Sequence, residues 1–255
     1  MVSNYIEVND EDFKTKVIMK SVHTPVVVDF WASWCGPCIA MDEQTWNKFS
    51  VISVAENLVC VRLNFDNELR LDHHYDVTAI PAMLILDGFG SKLYHIEGFR
   101  SESEMREILR VLPSNLRSVY DLLKQSQVAP DSLELRIAIG DQYQLMRMPQ
   151  VSNRYFEELS RTKGVKNNPK LEDHVKTRTA LNYHLLGDQD KAKELFEQCV
   201  KDYPHSEDRP MQLFLLTKIG MLNKDEDEAR KYLGTLQKEF PDNQHTKLAE
   251  GLFKK

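Results

Sequence analysis

Two cysteines separated by Gly-Pro, Cys35-Gly36-Pro37-Cys38, are the residues of this chain best suited to chemistry. A turn this tight keeps two thiols close enough to trade a bond with an incoming disulfide. Ahead of them runs Val26-Val-Val-Asp-Phe-Trp31, apolar and rich in β-branched and aromatic residues, which reads as a central strand. Behind them Ile39-Ala-Met-Asp-Glu-Gln-Thr-Trp46 reads as helix. Cys35 then falls where a strand gives way to a helix N-terminus, whose unpaired N–H groups and positive dipole end favour thiolate over thiol. Asp29 lies inside the apolar run, where an unpaired carboxylate is costly and its pKa is pushed up. Together these residues point to dithiol–disulfide exchange.

The elements that position them follow in chain order. Residues 11–22 have helical spacing at Phe13, Val17 and Ile18, and Thr24-Pro25 ends that helix. The helix from Pro37 is expected to run to Val54. Leu58-Val-Cys-Val-Arg-Leu-Asn-Phe65 is a second strand, and Asp66–Tyr75 is a polar helix or loop. Val77–Gly88 holds a third strand with a turn at Asp87-Gly88, Ser91–Glu97 is its hairpin return, and Ser101–Leu112 opens with a capping sequence, Ser101-Glu-Ser-Glu104. The expected fold is α/β, a mixed central sheet with helices on both faces.

Residues 1–113 resemble the thioredoxin family, and the resemblance is not confined to the cysteine pair. Asp29 stands at the family's buried acid, Trp34 precedes the first cysteine, Ile80-Pro81 matches the cis-proline dipeptide, and Gly98 matches the glycine beside the substrate groove. Arg62 stands where the family usually has a lysine facing the buried acid. The resemblance implies that Cys35 is the nucleophile and Cys38 the resolving thiol, with a redox-active disulfide between them and no other cofactor. It implies that Asp29 takes the proton from Cys38, and that a cis Pro81 sets the Ile80 backbone beside Cys35 for pairing with an extended peptide. Trp34, Gly36, Pro37, Ile80 and Gly98 would form the rim that meets substrate. The pattern departs at Glu43, where a proline is usual, at Ala82, where threonine is common, and at Ile39, where a basic residue is usual.

Beyond Pro113 no strand-like run remains. Ala192-x3-Phe196-x2-Cys199-x4-Pro204 returns 37 residues later as Ala229-x3-Leu233-x2-Leu236-x4-Pro241, with a fainter copy at Ser152-x3-Phe156-x2-Leu159. Each is preceded by a helix (Leu133–Met146, Leu171–Leu186, Met211–Leu222). This resembles the second helix of tetratricopeptide (TPR) repeats. Residues 114–129 read as a connecting helix and 130–255 as TPR-like helical hairpins, with Asn243–Phe253 capping the stack.

A net charge of −6 argues against nucleic acid as a partner. No segment approaches the ~20 apolar residues of a membrane span. The acidic N-terminus does not read as a secretory signal, and four cysteines make no disulfide framework, so a reducing, cytoplasmic setting is expected. A zinc site would need four ligands, and the remaining candidates, Cys60, Cys199 and His73-His74, form no second Cys-x-x-Cys, so no metal is expected. Cys60 and Cys199 read as inert packed thiols and His73-His74 as surface residues. The acidic runs Glu11-Asp12 and Asp225–Glu228 read as helix starts.

Three functions fit this sequence. One is a protein-disulfide reductase whose helical domain recruits substrate, served by an electron-donating reductase; Gly-Pro between the cysteines resembles the reducing members of the family. The second is similar to chaperedoxins, a holdase that binds unfolding clients and protects their thiols as mixed disulfides. The third is an adaptor on an inert platform, which has no use for Cys35, Cys38, Asp29 and Pro81 together.

Overall fold

The computed structural model describes residues 5–67 and 69–254. The chain forms two compact units, Met1–Lys124 and Gln125–Lys255. In the first, β1 (Ile6–Glu7), β2 (Val26–Trp31), β3 (Val59–Asn64), β4 (Ala82–Leu86) and β5 (Lys92–Glu97) make one sheet in the order β1-β3-β2-β4-β5. β1 and β2 lie parallel to β3, β4 is antiparallel to β2, and β5 to β4. β2 is apolar at successive positions because both its faces are covered. Its Val26, Val28 and Phe30 pack with Val61, Leu63, Ala82 and Leu84, and with Phe13 and Val17 from the N-terminal helical segment.

Phe13 caps that segment, whose helix, α1, spans residues 14–21 and begins as a π-helical turn. The helix after the cysteines, α2, covers residues 36–46. It is α-helical over Gly36–Met41 and π-helical over Asp42–Trp46. A single helix to Val54 is not what forms. Asn47 N–H bonds back to Asp42 O at 3.3 Å, and Lys48 turns extended (φ −85°, ψ 134°) before α3 (Phe49–Ala55). In the last turn before the break the Thr45 hydroxyl donates to Arg100 O at 2.6 Å. β4 starts only at Ala82 because Pro81 has no N–H for the ladder. Residues of the 66–75 stretch form α4 (Leu69–Tyr75), whose start is capped by Asp10 accepting from the Arg70 and Leu71 N–H groups. The strand β1 was not expected; two residues carry no period to read.

α5 (Glu102–Arg110) starts with the capping box its sequence announces: Ser101 N–H donates to Glu104 Oε2 at 2.8 Å, and Ser101 Oγ accepts from Glu104 N–H. The segment 114–129 carries α6 (Arg117–Val128). Its first half belongs to the first unit: Leu116 N–H bonds His23 O at 2.6 Å, Val119 is buried, and the Tyr120 ring stacks on Phe89 at 4.5 Å.

The second unit is all-helical over its described residues: α7 (Leu133–Leu145), α8 (Pro149–Ser160), α9 (Lys163–Lys166), α10 (Pro169–Leu186), α11 (Gln189–Asp202), α12 (Arg209–Leu222), α13 (Glu226–Glu239) and α14 (Gln244–Gly251). Helices pack against their neighbours in sequence, α7 on α8, α8 on α10, α10 on α11, α11 on α12 and α12 on α13. Ser152, Phe156 and Leu159, then Ala192, Phe196 and Cys199, then Ala229, Leu233 and Leu236 are all buried, as residues recurring on one helix face must be to hold such a stack. Gly187 (φ +88°) closes α10 in the left-handed conformation that glycine adopts without penalty. The acidic run Asp225–Glu228 is a helix start, with Asp225 capping Glu228 N–H at 3.0 Å. The short α9, capped by Thr162, lengthens the connection between the first and second hairpins and was not expected.

Candidate active site

Cys35 caps α2. Its backbone is extended (φ −79°, ψ 98°), its Sγ accepts the Cys38 N–H at 3.2 Å, and Pro37 occupies the first turn, where a missing N–H costs nothing. Cys35 and Cys38 are joined by a disulfide, with Cα atoms 5.2 Å apart. Both are buried and pack with Ala32, Trp31 and Ile80. An N–H aimed at the Cys35 sulfur stabilises negative charge there once the bond opens.

The rim is assembled from three separate segments, residues 34–39, 80–81 and 98–99. Ile80-Pro81 is a cis peptide bond. Gly98 N–H donates to Pro81 O at 2.8 Å, and its φ of +82° requires a residue without Cβ strain. Ile80 is half-buried beside the disulfide, while Gly36, Pro37 and Gly98 are exposed. Trp34 is 65 % exposed, its indole N–H donating to the Asp66 carboxylate at 2.9 and 3.1 Å. Trp34 is therefore no core residue. Ile39 and Phe99 add exposed apolar surface directly after Cys38 and Gly98.

Beneath the helix lies a charged cluster. Asp29 and Arg62 are register partners on β2 and β3, with Arg62 Nε 3.3 Å from Asp29 Oδ2. Arg62 Nη2 donates to Asp42 Oδ2 at 2.8 Å and Nη1 to the Tyr5 hydroxyl at 3.0 Å, and its guanidinium lies 4.0 Å over the Trp31 ring. Asp42 is one helical turn beyond Cys38, on the same side of α2. Arg62 thus spans from the face carrying Cys38 to Asp29. Burial is the main cause that pushes the Asp29 carboxyl up, to about 7; Arg62 opposes it and Asp42 reinforces it. A buried acid titrating near neutrality can take up and return a proton.

Asp29, Arg62, Cys35, Cys38, Trp34, Gly36, Pro37, Ile80, Pro81 and Gly98 are legible in the sequence, whereas Asp42, Tyr5 and Asp66 are not. Only Asp42 left a local signal, its i+4 spacing from Cys38. The other two thiols stand apart from this site. Cys60 is half-buried on β3 and pushed up to about 11 by burial; Cys199 is fully buried against Thr177 and pushed up to about 12. His73 and His74 are exposed. Among the described residues no group of three His, Cys, Asp or Glu is placed to hold a metal ion, and no helix is long and apolar enough to cross a membrane.

Fold and site together define the class, a thiol–disulfide oxidoreductase unit followed by helical hairpins. The thioredoxin family model matches residues 4–111, and a tetratricopeptide repeat model matches residues 177–206. The chain is 36 % identical over 94 residues to the chloroplastic thioredoxin M-type of Chlamydomonas reinhardtii, a match covering 36 % of this chain and 61 % of that one. It is 33 % identical over 87 residues to thioredoxin of Chlorobaculum thiosulfatiphilum, covering 33 % of this chain and 74 % of that one. It is 31 % identical over 110 residues to thioredoxin of Mycobacterium tuberculosis, covering 43 % of this chain and 90 % of that one. The chain belongs to the thioredoxin family.

Proposed function

We propose that the chain reduces disulfides in protein substrates by dithiol exchange, and that its helical unit recruits the substrate or a partner protein. The observation that carries this reading is the Cys35–Cys38 pair at a helix N-terminus, flanked by Ile80-Pro81 and an exposed apolar rim. In the reduced form the Cys35 thiolate attacks one sulfur of the substrate disulfide. That bond breaks, a mixed disulfide forms, and the released substrate thiolate takes a proton from water. Asp29, through water, accepts the Cys38 thiol proton. The Cys38 thiolate then attacks Cys35 Sγ, forming Cys35–Cys38 and releasing the second substrate thiolate, which is protonated in turn. Two electrons pass to the substrate, and an electron-donating reductase restores the dithiol. This chemistry suits a reducing, cytoplasmic setting.

Reduction of insulin disulfides by wild type and Cys35→Ser tests the reading: turnover by wild type and none by the variant is expected, and equal rates would overturn it. A second reading, a holdase for unfolding clients, is favoured by exposed leucines at the C-terminal ends of α7, α10 and α12, namely Leu145, Leu185 and Leu222. Suppression of client aggregation that survives Cys35→Ser but is lost when the three leucines become serine would establish it. Suppression unaffected by the three serines would remove it.

A further inference from the structure

We propose that Asp42 is a positioning residue of this site: it holds the Arg62 guanidinium where it cannot hydrogen-bond Asp29, and so keeps the buried acid able to receive the Cys38 proton. The inference rests on the reading of Cys38 as the resolving thiol.

The guanidinium is fixed by contacts on several sides. Nη2 is bound to Asp42 and Nη1 to Tyr5, while the plane lies over the Trp31 ring at 4.0 Å and 5.2 Å from the Tyr5 ring centre. Nε, the nitrogen nearest Asp29, makes no hydrogen bond although only 3.3 Å separates it from Oδ2. Asp29 therefore feels the positive charge but is denied the charge-assisted hydrogen bond that drives a paired carboxylate strongly acidic. Asp42 also sets a second negative charge near Asp29, which disfavours its ionised form. The charged groups that act on Asp29 are Arg62 from β3 and Asp42 from α2, with Tyr5 behind the guanidinium; its register partner on β4, Met83, is uncharged. Arginine makes the arrangement possible. Its planar fork can serve Asp42 and Tyr5 with separate nitrogens, whereas the single ammonium of the lysine usual at this position in the family has no fixed fork.

The test is the ionisation of Asp29 in the reduced, full-length chain, followed by the carboxyl ¹³C shift against pH and assigned with Asp29→Asn. Asp42→Ala, which removes both charge and tether, is expected to lower the Asp29 midpoint by about 1 pH unit. Asp42→Asn, close to isosteric, retains an acceptor for Arg62 and should lower it less. Arg62→Gln should raise the midpoint, and in that background the difference between Ala and Asn at position 42 should vanish. A midpoint that stays put or rises in both Asp42 variants would overturn the proposal, as would an Ala–Asn difference that persists without Arg62. A titration of this kind is independent of turnover. If wild type reduces no insulin but the midpoints move as stated, the functional reading fails and the charge arrangement stands; if wild type turns over and the midpoints do not move, only the role of Asp42 fails.

Discussion

Replacing Asp29 by Asn removes a titrating group from the interior while keeping its shape. Burial pushes the carboxyl from its ordinary 3.8 up to about 7. Between those values the folded chain holds a proton that the unfolded chain has released, so stability falls as pH rises through the window and levels off above it. A shift of about 3 pH units corresponds to about 4 kcal/mol of stability lost by wild type across the full window. Asn has nothing to titrate, so any constant cost of the amide cancels when two pH values are compared. From pH 5 to pH 8 the stability of Asp29→Asn relative to wild type should therefore grow by about 3 kcal/mol. All three tryptophans, Trp31, Trp34 and Trp46, lie in the first unit, so guanidinium unfolding followed by tryptophan fluorescence reports that unit alone. A stability difference that is constant from pH 5 to pH 8, or that shrinks, would refute the argument from burial.

Thiol reactivity should divide as sharply. In the reduced, folded chain at neutral pH, iodoacetamide is expected to modify Cys35 and spare Cys60 and Cys199, whose thiols burial pushes up to about 11 and about 12; peptide mass mapping showing either of these labelled as fast as Cys35 would contradict it. In the helical unit, Phe196 is fully buried at the large apolar position of the best repeat. Phe196→Ala should cost about 3–5 kcal/mol, read as an earlier loss of helical circular dichroism on denaturation, and a change below about 1 kcal/mol would refute its place in the core.

What the sequence disclosed was local, and what it hid was made by contacts across the chain. β2, the cysteine turn and the capping box at Ser101 are contiguous signals, and each forms where its residues indicate. The repeat positions of the helical unit were equally legible, since Ala192, Phe196 and Cys199 recur on one face whatever lies around them. The break after Trp46 was not, and the Thr45 hydroxyl beside it finds its partner in the Arg100 carbonyl, 55 residues away. Asp66 is likewise 32 residues from the indole it holds. Asp42 reads as an ordinary helix acid until the register of β2 on β3 brings Arg62 opposite Asp29. The thiol pair could thus be read directly, while the charges that govern its proton could only be seen once the sheet was assembled.

The central claim is that Cys35 attacks disulfides and Cys38 resolves the product. It is tested most directly by incubating reduced Cys38→Ser with a disulfide-bonded protein and measuring intact mass before and after reduction. A covalent adduct through Cys35 is expected, one that dithiothreitol releases and that wild type does not accumulate. An adduct absent from the variant, or carried by Cys60 or Cys199 instead, would contradict it.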